Sequence, residues 1–370
     1  MRNRRFNYSI IIFITILLLT PTHIIHAVAP DISASSAIVM DATTGRILYE
    51  KNIHDKKPMA STTKIMTALV ALEKSNLDNI VKVPRNAVGV EGSSIYLVYD
   101  EKVSMKDLLY GLMLRSGNDS AVAIATEIGG SVDGFSELMN KKAQEIGAIN
   151  TNFTNPHGLH HKNHYTTAYD LALITREALK KDAFKEIVKT KLWVAKRENF
   201  KYFYNKNKTL AELNGGDGVK IGFTTAAGRC LVTSATRDGM QLICVVLNAP
   251  NWFQDSYGLI NYAYEEYTAY HVFQKDQVLK NVRVINGKKV ETGVISYENL
   301  TVPVKSEEAD KIFTVLELEE KYSAPLKRGD KLGRAKVYAD DKLIYSLNLY
   351  CREDINEKTF KDKVIQLFNK

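Results

Sequence analysis

The sequence predicts an α+β fold: an antiparallel sheet with flanking helices, followed by a small all-β domain. Three observations carry that prediction. Runs with helical periodicity alternate with β-rich runs over the first 275 residues of the 370-residue chain. Within them, Val219 to Thr224, Arg229 to Ala235 and Met240 to Leu247 follow one another at hairpin spacing, as in an antiparallel meander. From about residue 276 only short strands remain, one pair joined by a tight Asn286-Gly287 turn.

At 45% hydrophobic and 25% charged residues, the composition is that of a globular chain able to bury a sizeable core, and the length favours two domains. Arg2, Arg4 and Arg5 precede the apolar run Ile10 to Leu19, which is followed by Pro21 and small-residue exits at Ala27 and Ala29. This order predicts a secretory signal peptide over residues 1–27, its apolar run too short for a comfortable membrane span. The expected location is extracytoplasmic, at the outer face of the cytoplasmic membrane or in the cell wall. Removing residues 1–27 takes three arginines and no acid from a formal charge of +8, leaving +5. That excess suits an anionic envelope, and no dense Lys/Arg run points to nucleic acid. Three cysteines, Cys230, Cys244 and Cys351, are too few for a disulfide scaffold, and no structural disulfide is expected.

In chain order, Ser36 to Met40 and Arg46 to Glu50 flank a Gly45 turn and predict a hairpin. Helices are expected over Met105 to Gly111, from Ser120 to the Gly129-Gly130 stop, over Phe135 to Ile146 and over Tyr165 to Leu179. The aromatic and basic stretch Phe200 to Asn207 has a composition that can bind single-stranded nucleic acid; beside a signal peptide it reads as a solvated strand and loop. A tyrosine-rich helix over Tyr257 to Phe273 is expected to close the first domain. In the second, strands are expected at Val278 to Val284, Val290 to Ile295, Leu300 to Val304, Ile312 to Leu318, Lys331 to Tyr338 and Leu343 to Tyr350. The tail Lys358 to Lys370 gathers Phe360, Val364, Ile365, Leu367 and Phe368 on one helical face with lysines around them, suited to an anionic membrane surface or to packing on the β domain.

The chemistry begins at Pro58-Met59-Ala60-Ser61-Thr62-Thr63-Lys64, which opens onto the nearly all-apolar run Ile65 to Leu72. Pro58 and the hydroxyl residues, as cap candidates, predict a helix start, and the apolar run predicts a buried helix. Ser61 and Lys64, three residues apart, share one face within mutual reach. A serine beside a desolvated lysine at a positive helix terminus is a route to an activated nucleophile. The same spacing alone also describes a capping serine with a solvated lysine. Ser116-Gly117-Asn118 sits in a short loop between two predicted helices, a rigid place to project polar groups. Lys220 lies on the edge strand of the meander. His157, His160, His161 and His164 fall within eight residues, but Pro156 and Gly158 oppose a helix there and no cysteine accompanies them, so no metal is expected.

Ser61-Thr62-Thr63-Lys64, Ser116-Gly117-Asn118 and Lys220-Ile221-Gly222 stand in the order S-x-x-K, S-x-N, K-T-G, and so resemble the active-site motifs of penicillin-binding proteins and serine β-lactamases. With the flanks Leu112-Met113-Leu114-Arg115, Asn155-Pro156-His157-Gly158-Leu159 and Thr224-Thr225-Ala226-Ala227-Gly228, the chain most resembles the low-molecular-mass penicillin-binding proteins that act as D-alanyl-D-alanine carboxypeptidases. The resemblance covers nearly the whole chain. It implies a β-lactamase/transpeptidase-like catalytic domain over residues 28–275, a C-terminal β domain over 276–355 and an amphipathic tail over 356–370.

The resemblance further implies catalytic roles for Ser61 as nucleophile, Lys64 as base and Ser116 as proton relay. It implies substrate contacts from Asn118, Lys220, Gly222, Phe223 (through its amide) and Thr224, with no metal or organic cofactor. The implied substrate is the peptidoglycan stem pentapeptide ending in D-Ala-D-Ala, with β-lactams as covalent inhibitors. One position departs from the pattern: Ile221 replaces a threonine whose hydroxyl helps hold the substrate carboxylate in the family, so either Thr224, Thr225 or Arg229 compensates or carboxylate binding is weakened. Three other readings are a β-lactamase, a non-catalytic envelope-binding homologue motivated by Ile221, and a zinc carboxypeptidase built on the histidines. The first is opposed by Glu212, which lies too close to Lys220 to serve on a deacylating loop.

Overall fold

The structure, a computed structural model, describes residues 28–362. The expected signal peptide and the last part of the tail lie outside the described residues. The first domain holds strands β1 (Ser36–Asp41) and β2 (Ile47–Lys51), helix α1 (Lys64–Lys74), strands β3 (Ile80–Lys82) and β4 (Lys102–Ser104), and helices α2 (Met105–Tyr110), α3 (Asn118–Gly129) and α4 (Val132–Glu145). Helices α5 (Ala168–Leu179) and α6 (Asp182–Lys189) follow, then the hairpin β5 (Leu192–Val194) and β6 (Tyr202–Tyr204), and a turn of helix, α7 (Thr209–Glu212). The meander β7 (Gly216–Thr224), β8 (Gly228–Arg237) and β9 (Met240–Leu247) leads into α8 (Trp252–Glu266).

The main sheet is antiparallel, in the order β2-β1-β9-β8-β7. Its central strands are buried on both faces, which is why β1 and β9 read as continuous apolar runs rather than as alternations. Ile38, Met40, Val232, Ile243 and Val245 face one core with Ile65, Leu69 and Leu171 of the helices. Val39, Leu231, Cys244 and Val246 face the other, against Leu259 and Ile260 of α8. Cys230 belongs to the first core and Cys244 to the second. They cannot pair through the sheet, and the described cysteines are buried thiols.

Two differences from the sequence reading have physical causes. The helix expected over Tyr257 to Phe273 ends at Glu266, and Thr268–Phe273 is a strand, β10. It pairs antiparallel with Leu300–Val304, so inter-strand hydrogen bonds outweigh a helical pattern that tyrosine and alanine tolerate equally. The second is α6, overlooked because Lys181, Asp182, Lys185 and Lys189 dilute its apolar signal, although Phe184, Ile187 and Val188 bury one face.

The second domain contains β11 (Val278–Ile285), β12 (Glu291–Ile295), β13 (Leu300–Val304), β14 (Ile312–Leu318), β15 (Lys321–Ser323), β16 (Lys331–Ala339) and β17 (Lys342–Cys351). Six of these form one sheet, β14-β16-β17-β12-β11-β15, around Val294, Val302, Val337 and Leu349. Arg46 links the domains, donating to the Pro303 carbonyl at 2.8 Å and to Glu308 at 2.6 Å. At the start of the tail, Thr359 and Asp362 exchange hydrogen bonds as a capping box ahead of Phe360, which is exposed. Among the described residues no helix is long and apolar enough to cross a membrane.

Candidate active site

Ser61 sits in a tight 3-10 turn, Ala60–Thr63, that feeds directly into α1. The hydroxyls do not cap the helix as expected. Thr62 Oγ1 donates to the Met59 carbonyl at 2.6 Å and Thr63 Oγ1 to the Ala60 carbonyl at 2.8 Å, turning the chain back on itself. Ala60 has φ +49°, a left-handed conformation costly for a residue with a Cβ. The turn is braced from outside. Gly158 (φ +90°) packs so close that a Cβ there would lie 1.9 Å from the Ala60 oxygen.

Lys64 is fully buried and makes three bonds through Nζ, to Ser61 Oγ at 3.0 Å, Asn118 Oδ1 at 2.6 Å and the His157 carbonyl at 2.7 Å. Two of these partners can only accept. The third is a hydroxyl that can equally donate. A neutral amine giving its two hydrogens to Asn118 and His157, and its lone pair to Ser61 O–H, therefore satisfies every group. Burial, reinforced by the cation of Lys220, holds Lys64 well below the ordinary lysine value, against an opposing pull from Asp119. Lys220 is itself pushed down to about 7 by burial and by the charge of Lys206.

The other walls are built to hold these atoms. A wider, π-type turn (Gly111–Arg115) ends α2 and leads to Ser116 in a left-handed conformation (φ +63°). Ser116 is buried. Asn118 opens α3, with Nδ2 donating to the Glu91 carbonyl at 2.5 Å, which fixes the amide so that Oδ1 meets Lys64. The next residue, Asp119, accepts from the Ile95 and Leu97 amides and from Ser94 Oγ, pinning the 94–97 segment. Thr67 Oγ1 donates to the Pro156 carbonyl, and Asn155 Oδ1 accepts from the Gly158 amide, so this loop presents the His157 carbonyl.

Across the cleft runs β7, the outermost strand of the sheet, as expected for the lysine-bearing run. Lys220 and Gly222 pair with Val232 and Cys230 on the front core side. Lys220 Nζ donates to the Ile221 carbonyl at 2.9 Å. A Cβ on Gly222 would lie 2.9 Å from Ser61 N and 3.0 Å from Thr62 N, so β7 approaches the nucleophile turn closely only with glycine there. Ile221 pairs with Leu231 and packs on the second core, facing away from Lys220. This packing accounts for an apolar residue at the departing position. Phe223 is exposed, and Thr224 Oγ1 accepts from the Ala227 amide, capping the β7–β8 turn.

Among the described residues no group of three histidine, cysteine or acidic side chains is arranged to hold a metal. The buried histidines have other partners. His164 Nδ1 accepts from the Thr154 amide at 3.0 Å, so its proton sits on Nε2, which donates to Thr63 Oγ1 at 2.8 Å. Burial pushes His164 down to about 4 and His157 to about 3, and Lys64 adds to both. Glu212 accepts from Tyr257 O–H and lies within 3.8 Å of Lys208. The sequence reading missed the His157 carbonyl, the Asn155 bracket, Asp119 and the His164–Thr63 link. The Asn155-Pro156-His157-Gly158 turn was the available signal for the first two.

Residues 24–251 match the profile of the D-alanyl-D-alanine carboxypeptidase family, and residues 267–357 that of the penicillin-binding protein 5 C-terminal domain. The chain is 31% identical over 338 residues to D-alanyl-D-alanine carboxypeptidase DacF of Bacillus subtilis, covering 88% of this chain and 87% of that one. It is 33% identical to DacA of Haemophilus influenzae, covering 89% and 86%. Among solved structures, penicillin-binding protein 5 from Haemophilus influenzae superimposes with a TM-score of 0.71 at 31% identity, covering 90% of this chain and all of that one. The chain belongs to the D-alanyl-D-alanine carboxypeptidase family of serine peptidases.

Proposed function

We propose that this chain removes the terminal D-Ala from peptidoglycan stem pentapeptides through an acyl-enzyme on Ser61. The observation that carries the assignment is the buried Lys64 amine, 3.0 Å from Ser61 Oγ and held by two pure acceptors. In this reading Ser61 Oγ attacks the carbonyl of the penultimate D-Ala as its proton passes to neutral Lys64. The amides of Ser61 and Phe223 receive the oxyanion. As the C–N bond breaks, Ser116 O–H passes a proton to the departing D-Ala amine and is reprotonated from Lys64. Asn118 holds the peptide amide. Lys220, with Thr224 beside it, faces the substrate carboxylate, and Gly222 lets the peptide lie against β7. Water then cleaves the ester. β-Lactams, presenting a strained amide in the same place, acylate Ser61.

The export signal expected over residues 1–27 places this activity outside the cytoplasmic membrane. The tail Lys358 to Lys370 carries lysines and apolar residues in a sequence pattern suited to an anionic lipid surface. The domain limits 28–275, 276–355 and 356–370 belong to the same reading, and β10, which pairs with β13, argues for moving the first limit to about 267.

D-Ala release from a D-Ala-D-Ala pentapeptide tests the assignment. Wild type is expected to release it in excess chelator, and Ser61→Ala to release none. No release by wild type at any concentration overturns it, and persistent labelling by a fluorescent penicillin separates it from a lactamase.

A further inference from the structure

The β5–β6 hairpin has one face turned inward and one face exposed, where Lys201 lies over the Tyr202 ring. Inward, Trp193 stacks on Tyr110 with ring centroids 3.9 Å apart, and its Nε1 donates to Asp107 at 2.7 Å. Outward, the cross-strand pairs Leu192–Tyr204 and Val194–Tyr202 form a continuous strip. Those four side chains are 41%, 60%, 51% and 52% exposed. Four large apolar groups side by side on a rigid hairpin form a patch, not scattered surface residues.

The strip lies in a basic field: six lysines and Arg197 against one acid, Glu198, between residues 189 and 208. Lys189, Arg197 and Lys208 have acidic partners, whereas Lys191, Lys196, Lys201 and Lys206 have none among the described residues. The patch is continuous with the candidate active site. Arg115, adjacent to Ser116, donates to the Tyr204 carbonyl at 3.4 Å and lies over the Phe200 ring, and the Lys206 amide donates to the Leu114 carbonyl at 3.3 Å.

Resting on the function proposed above, we infer that this hairpin face docks the polymer that carries the stem peptide, the glycan strand of peptidoglycan with its anionic side peptides. Exposed tyrosine rings, electron-rich on their faces, match the C–H faces of pyranose rings. The unpaired lysines match the stem carboxylates, and continuity with the Ser116 segment suits a substrate whose reacting end and backbone are covalently joined. The strip thereby selects polymeric over free peptide substrate without touching the reacting atoms.

The test compares wild type with Tyr202→Ser/Tyr204→Ser and with Lys191→Glu/Lys201→Glu, each in a Ser61→Ala background for binding and a Ser61 background for turnover. Co-sedimentation with purified sacculi stripped of accessory polymers is expected to weaken about tenfold in each double variant. D-Ala release from sacculi is expected to fall in parallel, with release from a soluble pentapeptide and unfolding midpoints unchanged. Unaltered sedimentation in both variants overturns the inference, as does no sedimentation of wild type. Loss of binding to anionic phosphatidylglycerol vesicles or to single-stranded DNA, with sacculus binding intact, also overturns it by assigning the face to lipid or nucleic acid. If one variant does not fold, the other decides. Because sedimentation of the Ser61→Ala protein requires no turnover, an inactive wild type would refute the carboxypeptidase assignment without deciding the docking face.

Discussion

Lys64 Nζ stands 2.6 Å from Asn118 Oδ1, and Asn118 cannot turn its amide round because Nδ2 is committed to the Glu91 carbonyl. The neutral state of Lys64 therefore depends on its closest acceptor carrying no charge. Asn118→Asp keeps the side-chain size, gives up the hydrogen bond to the Glu91 carbonyl and adds a carboxylate beside the amine. An opposite charge at this range raises a lysine by about 1–3 pH units, so Lys64 should hold its proton to higher pH and accept one from Ser61 less readily. The rate of labelling by a fluorescent penicillin at about pH 7 should fall at least tenfold, with its acid limb displaced upward by about 1–3 units. Asn118→Ala should slow labelling without moving the limb. An unmoved limb in Asn118→Asp would refute the charge argument.

Lys220 sets the opposite limb. With the amine near 7 it is cationic below that value and neutral above, so its attraction for the terminal carboxylate fades as pH rises through neutrality. The KM for a pentapeptide with a free C-terminus should rise several-fold from about pH 6.5 to 8.5, and that for its C-terminal amide should stay level. Equal profiles for the two peptides would remove Lys220 from carboxylate recognition.

His164 should make stability depend on acid. Burial takes it down to about 4 from 6.5, so between those values the unfolded chain binds a proton that the folded chain refuses. Its contribution is present above pH 6.5 and is lost as pH falls toward 4, on the order of 3 kcal/mol for a shift of this size. Urea unfolding across that range should show a smaller acid loss for His164→Gln than for wild type. Identical slopes would show that His164 is accessible to protons in the folded state.

The sequence carried most of the fold because the decisive patterns were local. The meander strands, most second-domain strands and α1 each show within a dozen residues, as short β-rich runs at hairpin spacing or as an apolar run after a helix start, and structural neighbours bear out the α+β class. What stayed hidden depends on distant pairing. Thr268–Phe273 is a strand only because Leu300–Val304 lies beside it. At the site, Ser61, Lys64 and Asn118 are recognisable as residue types at fixed spacing, whereas the His157 group that meets Lys64 is a backbone carbonyl, which no side-chain pattern encodes. Ile221 looked anomalous in the motif and is ordinary in the fold, since its half-buried side chain packs against the core behind the strand.

Gly222 offers the most direct test of how closely β7 must approach the nucleophile. In Gly222→Ala the new methyl would fall 2.9 Å from Ser61 N, 3.0 Å from Thr62 N and 3.2 Å from Ala60 Cβ. Two of these are backbone atoms of a turn already held at positive φ and braced by Gly158, so no flexible side chain can yield. Either β7 moves outward or the turn does, and both displace Ser61 relative to the Phe223 amide. A shift near 1 Å in such a site costs on the order of 100-fold in rate. Penicillin acylation should therefore drop by about that factor while the far-UV spectrum stays native. Gly130→Ala supplies the contrast: it introduces a Cβ at positive φ (+69°), which Gly222→Ala does not, but with no heavy atom within 4 Å. It should cost about 1 kcal/mol of stability and leave acylation unchanged. Acylation by Gly222→Ala within about threefold of wild type would show that the turn has room to yield and that β7 need not be glycine at this point.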